Sequence, residues 1–152
     1  MASIRKHRGN WQARIRRQGY PTQTRTFETK TQAQAWARNQ EAAIDRGDWI
    51  DTSQSQTTTL REALDRYRRE VTQGKKGKRQ EELRLDAWAR THLADRPMAK
   101  IRPTDIAAWR DERLEKVKGQ TVRNDLSTLS HVFKIARTEW GMEGLRNPCD
   151  DV

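Results

Sequence analysis

The chain is poor in several features on which common folds and sites depend. One cysteine among 152 residues excludes an intrachain disulfide bond. Hydrophobic residues make up only 33% of the chain, and no apolar run approaches the roughly 18 residues of a membrane-spanning helix. Because no apolar segment of the signal-peptide kind follows the basic N-terminus, we expect a cytoplasmic protein that has no membrane partner.

The sequence also lacks the spacing of a metal site or an enzyme motif. His7, His92 and His131 are scattered, and none has cysteine or carboxylate neighbours at metal-ligand spacing. The glycine- and lysine-rich stretch 74–78 lacks the flanking strand and the spacing of a phosphate-binding loop. We therefore predict no catalytic residue, no metal site, no cofactor and no small-molecule substrate.

Positive charge is what the chain has in excess. Lysine and arginine total 31 against 21 acidic residues, which gives a formal net charge of +10. Such a surplus favours a polyanionic partner, and nucleic acid is the commonest one. The six tryptophans indicate a folded chain, because each can bury a large area in a small core. They fall roughly one per predicted element, which favours packing over a base-stacking platform.

The first 50 residues have the pattern of a small sheet covered by one helix. Residues 11–16 alternate between apolar and polar side chains: Trp11, Ala13 and Ile15 against Gln12, Arg14 and Arg16. Segments 3–8 and 22–28 are predicted as two further strands, with turns at Gly9-Asn10 and at 19–21. Apolar residues recur at helical spacing over 31–46. Three short strands need such a cover on one face.

Charge in this region is concentrated on the predicted strands. Residues 1–30 carry eight basic side chains and one acid, Glu28. A β-ribbon can enter the major groove, where arginine recognises guanine and glutamine recognises adenine at about 1–3 kcal/mol each. The alternative is a merely solvated outer face. The predicted DNA-binding residues of the sheet are Arg5, Gln12, Arg14, Arg16, Thr24 and Thr26.

Residues 51–59 contain no apolar residue and no lysine or arginine, which predicts a linker between a domain of residues 1–50 and one of residues 60–152. Beyond it, helical spacing recurs over 59–72, 79–93, 106–117 and 121–140. In the last segment Thr121 stands at a cap position and Gly141 at the end. The predicted fold class is α+β: a small three-stranded antiparallel sheet with one helix, linked to an all-α four-helix domain.

The helical part has its own candidates for DNA contact. Lysines in the glycine-rich loop suit contacts to phosphate, which position a protein without reading sequence. The start of the last helix can combine free backbone N–H groups with base-reading side chains, although Thr121 could also be a simple cap. The predicted DNA-binding residues here are Lys75, Lys76, Lys78, Arg79, Lys118, Gln120, Thr121, Arg123 and Asn124.

Segments 11–15 (WQARI), 26–30 (TFETK) and 33–36 (AQAW) resemble the arm-binding domain of bacteriophage-type integrases of the tyrosine recombinase family. The helical part resembles that family's core-binding domain. The matching residues there are Ile101, Thr104, Asp105, Ile106, Arg113, the run 121–129 (TVRNDLSTL), Ala136, Trp140, Gly141, Asn147 and Pro148. The resemblance extends over nearly the whole chain.

The resemblance implies a four-helix, SAM-like core-binding domain and a division of labour. The family's sheet domain binds arm-type sites, and its helical domain clamps the core-type site together with a catalytic domain that cuts through a 3′-phosphotyrosine. The catalytic residues of the family follow the Asn-Pro segment, whereas this chain stops at Val152. The resemblance therefore implies double-stranded DNA binding in a bacterial or phage-infected cell, with catalysis left to a full-length parent. Self-association on DNA stays open.

Other functions remain open at this point. A stand-alone regulator or decoy could bind the same DNA sites without cutting them. An RNA-binding module could use the basic sheet, although the outward positions of 11–16 carry no stacking aromatic residue. A nuclease is disfavoured because no carboxylate cluster suggests a metal site.

Overall fold

The computed structural model describes residues 2–152, which form two compact units, one ending at Ile50 and one spanning Asp51–Val152. The first unit contains β1 (Ala2–His7), β2 (Asn10–Ile15), β3 (Gln23–Phe27) and α1 (Lys30–Arg46). The second contains α2 (Ser53–Thr57), α3 (Leu60–Glu70), α4 (Lys78–Ala89), α5 (Pro103–Leu114) and α6 (Gly119–Glu139). Three short 3₁₀ turns follow α3 and α4. The predicted α+β class is confirmed.

The three strands form an antiparallel sheet in the order β1-β2-β3. Cross-strand partners point to the same face, so Ile4 opposite Ala13 lies on the inner side, and Arg5 opposite Gln12 on the outer side. The turn between β1 and β2 consists of Arg8 and Gly9, whose φ values are 51° and 82°. It lies one residue earlier than predicted, because Asn10 pairs with His7 and leaves Arg8 and Gly9 as the two turn residues. A two-residue hairpin turn of this kind needs positive φ at both positions.

Helix α1 covers the inner face of the sheet. Thr29 caps it: its hydroxyl accepts from the Gln32 backbone N–H at 3.2 Å, and the Gln32 side chain accepts from the Thr29 N–H at 3.3 Å. Gly47 ends it in the left-handed conformation, with φ 79°. The buried side chains Ala37 and Ile44 pack with Ile15 of the sheet. Small residues at the contact let helix and sheet approach closely.

The second unit is built around one apolar core. Its largest fully buried side chains include Tyr67 of α3, Trp88 of α4 and Phe133 of α6. The ring of Trp88 lies 4.0 Å from that of Trp109 on α5, centroid to centroid, and its indole N–H donates to the backbone oxygen of Asp125 at 2.9 Å. A single tryptophan therefore joins α4, α5 and α6.

The segment 51–59 differs from the predicted linker. Residues Ser53–Thr57 form a short helix with Ser55 only 3% exposed, and the segment belongs to the second unit. The backbone oxygen of Thr58 accepts from Met98 N–H at 2.9 Å. Hydrogen bonding of the backbone, rather than apolar side chains, attaches this segment, which is why an apolar pattern does not reveal it.

Several predicted helix boundaries also need correction. Helix α4 ends at Ala89 rather than at the predicted residue 93, so His92 is exposed in the following 3₁₀ turn. Helix α5 ends at Leu114 rather than at the predicted residue 117, and Leu114 is 46% exposed there. Helix α6 begins at Gly119 with Lys118 at the N-cap, so Thr121 lies within its first turn and is not the cap.

Candidate nucleic-acid interfaces

The outer face of the sheet brings five of its six predicted DNA-binding residues together. The register aligns Arg5, Gln12 and Thr26 in one cross-strand row. The neighbouring row aligns Ser3, Arg14 and Thr24. Both rows lie opposite the face that α1 covers. The sixth residue, Arg16, follows the last paired residue of β2 and therefore stands outside these rows, although it is exposed.

Within the first row, Arg5 and Gln12 bind each other. The Nε and Nη2 atoms of Arg5 donate to the amide oxygen of Gln12 at 3.0 and 2.9 Å. Only the oxygen of an amide can accept two N–H groups in this way, so the orientation of the Gln12 amide is fixed by its partner. A bidentate contact to adenine needs that same oxygen as an acceptor. As folded, the pair presents N–H donors, and its complement is an acceptor such as a phosphate oxygen or a guanine edge.

Acidic partners lie on the other side of this unit. Arg17 donates to Asp45 of α1 at 2.6 Å, and this pair raises the pKa of Arg17. Helix α1 and the residues after it also hold Glu41 and Asp48. The cations Arg5 and Arg14 on the outer face are therefore separated by the sheet from the acidic side chains of α1. A polyanion approaching the outer face meets positive charge first.

The first turn of α6 forms a second polar group. The Gln120 amide donates to the Asn124 side-chain oxygen at 3.0 Å, and Arg123 Nη2 donates to the Gln120 oxygen at 3.2 Å. Thr121 is exposed beside them, and Lys118 precedes the helix without a side-chain cap bond. The structure thus places the predicted residues 118–124 in one turn, next to the backbone N–H groups of a helix N-terminus.

The base of this turn is held by a buried carboxylate. Asp125, 4% exposed, has its Oδ2 atom 3.6 Å from Nε of Arg113 on α5. Burial raises the pKa of Asp125 although the Arg113 and Arg84 cations lower it. Together with the Trp88 bond to the Asp125 backbone, this contact attaches the start of α6 to α4 and α5. Both Arg113 and Asp125 lie in the segments on which the family resemblance rests.

Lys75 occupies a different environment from the one predicted. Its ammonium group lies 3.0 Å from the Tyr67 hydroxyl and 2.9 Å from Oε2 of Glu81, so it is engaged inside the second unit rather than held on a mobile loop. Lys76, Lys78 and Arg79 are exposed. Thus Lys75 is primarily an internal partner, and the remaining candidates for phosphate contact here are Lys76 in the loop and Lys78 and Arg79 at the start of α4.

The partners of Lys75 form a polar network that the sequence does not reveal. Thr72 donates to Oε1 of Glu81 at 2.7 Å, and the Tyr67 hydroxyl lies 2.5 Å from Nδ1 of His131. Burial alone would raise the pKa of Glu81, but the hydrogen bonds from Lys75 and Thr72 outweigh it and lower that pKa. The network joins α3, α4 and α6 to the segment between α3 and α4.

Residues 2–152 contain neither a metal-binding cluster nor a membrane-crossing helix. That part of the chain contains no cluster of three or more histidine, cysteine, aspartate or glutamate side chains able to hold a metal ion. None of its helices combines the length and the apolar character that crossing a membrane requires.

Known proteins with similar sequences are named as recombinases. The chain is 35% identical over 141 residues to a Haemophilus influenzae protein named "Putative integrase/recombinase", covering 92% of this chain and 37% of that protein. It is 42% identical over 91 residues to the "Shufflon-specific DNA recombinase" of Escherichia coli, covering 55% of this chain and 24% of that protein. This is a tyrosine recombinase-type chain. The resemblance carried by its motifs is thereby confirmed.

The extent of these matches limits what transfers. A second Haemophilus influenzae integrase/recombinase is 38% identical over 84 residues, and the chain spans 28% of its length. The chain thus spans well under half the length of each of these relatives. No protein-family model matches the chain, and no solved structure matches it.

Proposed function

We propose that residues 2–152 recognise double-stranded DNA on behalf of a site-specific recombinase. In this proposal the sheet unit binds one class of site, of the arm type, and the helical unit contacts a second, core-type site. The proposal concerns DNA binding, and no strand-cutting step is assigned to these residues.

The observation that carries the proposal is the outer face of the sheet. Arg5, Gln12 and Arg14 project from adjacent rows of a short antiparallel sheet whose other face is covered by α1. A ribbon of this width fits the major groove, and arginine is the side chain that most often recognises base edges there. The recombinase names of the similar proteins support DNA as the polyanion in question.

The helical unit supports the same function by a separate surface. Exposed Lys76, Lys78 and Arg79 precede or begin α4, and Lys118 and Arg123 flank the first turn of α6. Cations of this kind release counterions when they bind phosphates, which gives affinity without sequence preference. Two binding units on one chain raise the effective concentration of the second contact once the first has formed.

The test compares two double variants that remove the same charge from opposite sides of the first unit. Arg5→Ala/Arg14→Ala removes two cations from the outer sheet face, and the control Arg38→Ala/Arg46→Ala removes two exposed cations of α1. Affinity for duplex DNA is measured by fluorescence anisotropy, with unlabelled duplex DNA and structured RNA as competitors. We expect the first variant to bind at least tenfold more weakly, because each arginine contact is worth about 1–3 kcal/mol.

The control should bind within about twofold of the parent chain, because exposed cations away from the contact act only through the screened long-range field. Equal weakening by both variants would overturn the assignment to the sheet face. Preferential competition by structured RNA would overturn the choice of duplex DNA and favour an RNA-binding module.

A further inference from the structure

The network beneath the loop that joins α3 to α4 has a clear organisation. Glu81, on the first turns of α4, is 9% exposed and accepts from two groups of the segment before it: Thr72 at 2.7 Å and Lys75 at 2.9 Å. Lys75 also contacts the fully buried Tyr67 of α3. One carboxylate of α4 thus fastens both ends of the stretch 72–75 to the helical core.

The stretch would otherwise be costly to order. Gly74 and Gly77 flank the exposed Lys76, and an added Cβ at either glycine would meet nothing within 4 Å, so close packing does not require them. Glycine has the largest backbone freedom to lose on folding. Helix α4 begins at Lys78 without a side-chain cap bond at Gly77. Without an anchor, the loop residue Lys76 and the first turn of α4, which carries Lys78 and Arg79, would be spread over many conformations, and binding a phosphate would have to order them.

We propose that Glu81 is a positioning residue for DNA binding, which holds Lys76, Lys78 and Arg79 in a preorganised cationic edge through its bonds to Thr72 and Lys75. This inference rests on the proposed DNA-binding function. It assigns to an acidic side chain a favourable role in binding a polyanion, which is the opposite of its direct electrostatic effect. Removal of this negative charge should therefore lower the affinity for DNA, whereas a purely electrostatic effect would raise it.

The primary test is Glu81→Gln, with Glu82→Gln as its matched control. Each variant removes one negative charge from neighbouring positions of α4, and glutamine at position 82 keeps an acceptor for the Gln73 amide, which now donates to Glu82 at 3.2 Å. Affinity of the full chain for a non-specific 30-base-pair duplex is measured at several salt concentrations. Circular dichroism and thermal melting verify that each variant is folded.

We expect Glu82→Gln to bind as tightly as the parent chain or slightly more tightly. Glu81→Gln should bind at least threefold more weakly, and its log–log salt slope should become shallower by about 1–2, because each lost phosphate contact contributes about 0.9. Combined with Lys76→Ala/Lys78→Ala/Arg79→Ala, Glu81→Gln should cause no further loss, since all three side chains that it positions are gone. Should Glu81→Gln unfold, Thr72→Val removes only one hydroxyl donor and is expected to weaken binding in the same way.

The outcomes separate this inference from the function on which it rests. If the parent chain does not bind duplex DNA, both are overturned. If the parent chain binds with a steep salt dependence and Glu81→Gln behaves like Glu82→Gln, the positioning role alone is overturned. A loss that simply adds to that of Lys76→Ala/Lys78→Ala/Arg79→Ala would likewise overturn it.

Discussion

The hydrogen bonds between Arg5 and Gln12 are expected to weaken the preference of Gln12 for adenine. Gln12 cannot form a bidentate contact with adenine until its oxygen releases the two N–H groups of Arg5. Both side chains are accessible, so the two bonds together contribute about 1–2 kcal/mol rather than the larger value of a buried charged pair. That cost is similar to the 1–3 kcal/mol that a bidentate contact gains. In the parent chain, adenine should therefore be favoured weakly or not at all opposite Gln12.

Removing Arg5 should free the Gln12 amide and strengthen its preference for adenine. Arg5→Ala is expected to lower total affinity while raising discrimination in favour of adenine at one base pair by about 1–2 kcal/mol, roughly five- to thirtyfold. A binding site is first selected from a random duplex library with the parent chain. The affinity of parent and variant for each single-base substitution of that site is then measured by fluorescence anisotropy. Arg14→Ala, in the neighbouring row, is the matched control and should lower affinity without changing that base preference. A parent chain that already prefers adenine strongly there, or an Arg5→Ala variant with unchanged preferences, would refute the reasoning.

Two further predictions concern the second unit. Burial raises the pKa of the Cys149 thiol to about 12. Because only the thiolate reacts, alkylation by iodoacetamide at pH 8 should be roughly 10³-fold slower in the native protein than in urea. Equal rates of alkylation would contradict this. Burial and the nearby Lys75 cation hold the pKa of His131 below its ordinary value of 6.5. Its contribution to the free energy of unfolding is complete above pH 6.5 and lost as the pH falls through the lower folded pKa. Urea titrations should show a smaller loss between pH 7.5 and 5.5 for His131→Gln than for the parent chain, and identical losses would exclude this role.

Local signals account for the parts of the fold that were predicted well. The alternation of residues 11–16 places Gln12 and Arg14 on the outer side of the sheet because successive strand residues point to opposite faces. The end of α1 follows from Gly47, which adopts the left-handed backbone that a helix end favours. Such features depend on residues close together in the chain, and they can therefore be predicted from the sequence.

The parts that were missed depend on contacts between distant residues. Nothing in the side chain of Arg8 indicates that its φ will be positive; the register of the hairpin imposes it. Lys75 reads as a loop lysine until α3 and α4 bring Tyr67 and Glu81 to it. Segment 51–59 is predicted as a linker because it has no apolar side chains. The hydrogen bonds that attach it are made by backbone groups, which every residue type except proline carries, so the side chains do not indicate them.

The boundary of α6 determines whether the Thr121 side chain is available to a ligand. With Thr121 as the cap, its hydroxyl would be occupied by the helix backbone. Because the helix begins at Gly119, Thr121 is exposed in the first turn beside Gln120 and Asn124. Its side chain therefore joins the polar surface of that turn, and this surface is more extensive than the sequence indicated.

The most direct test of the account is a map of the DNA contact on the full chain. Duplex DNA is added to ¹⁵N-labelled protein, and changes in amide chemical shifts are followed residue by residue. We expect changes concentrated in β1–β3, in residues 76–79 and in residues 118–124, with the exposed side of α1 unaffected. Changes concentrated on α1, or no change at DNA concentrations that saturate binding, would contradict it.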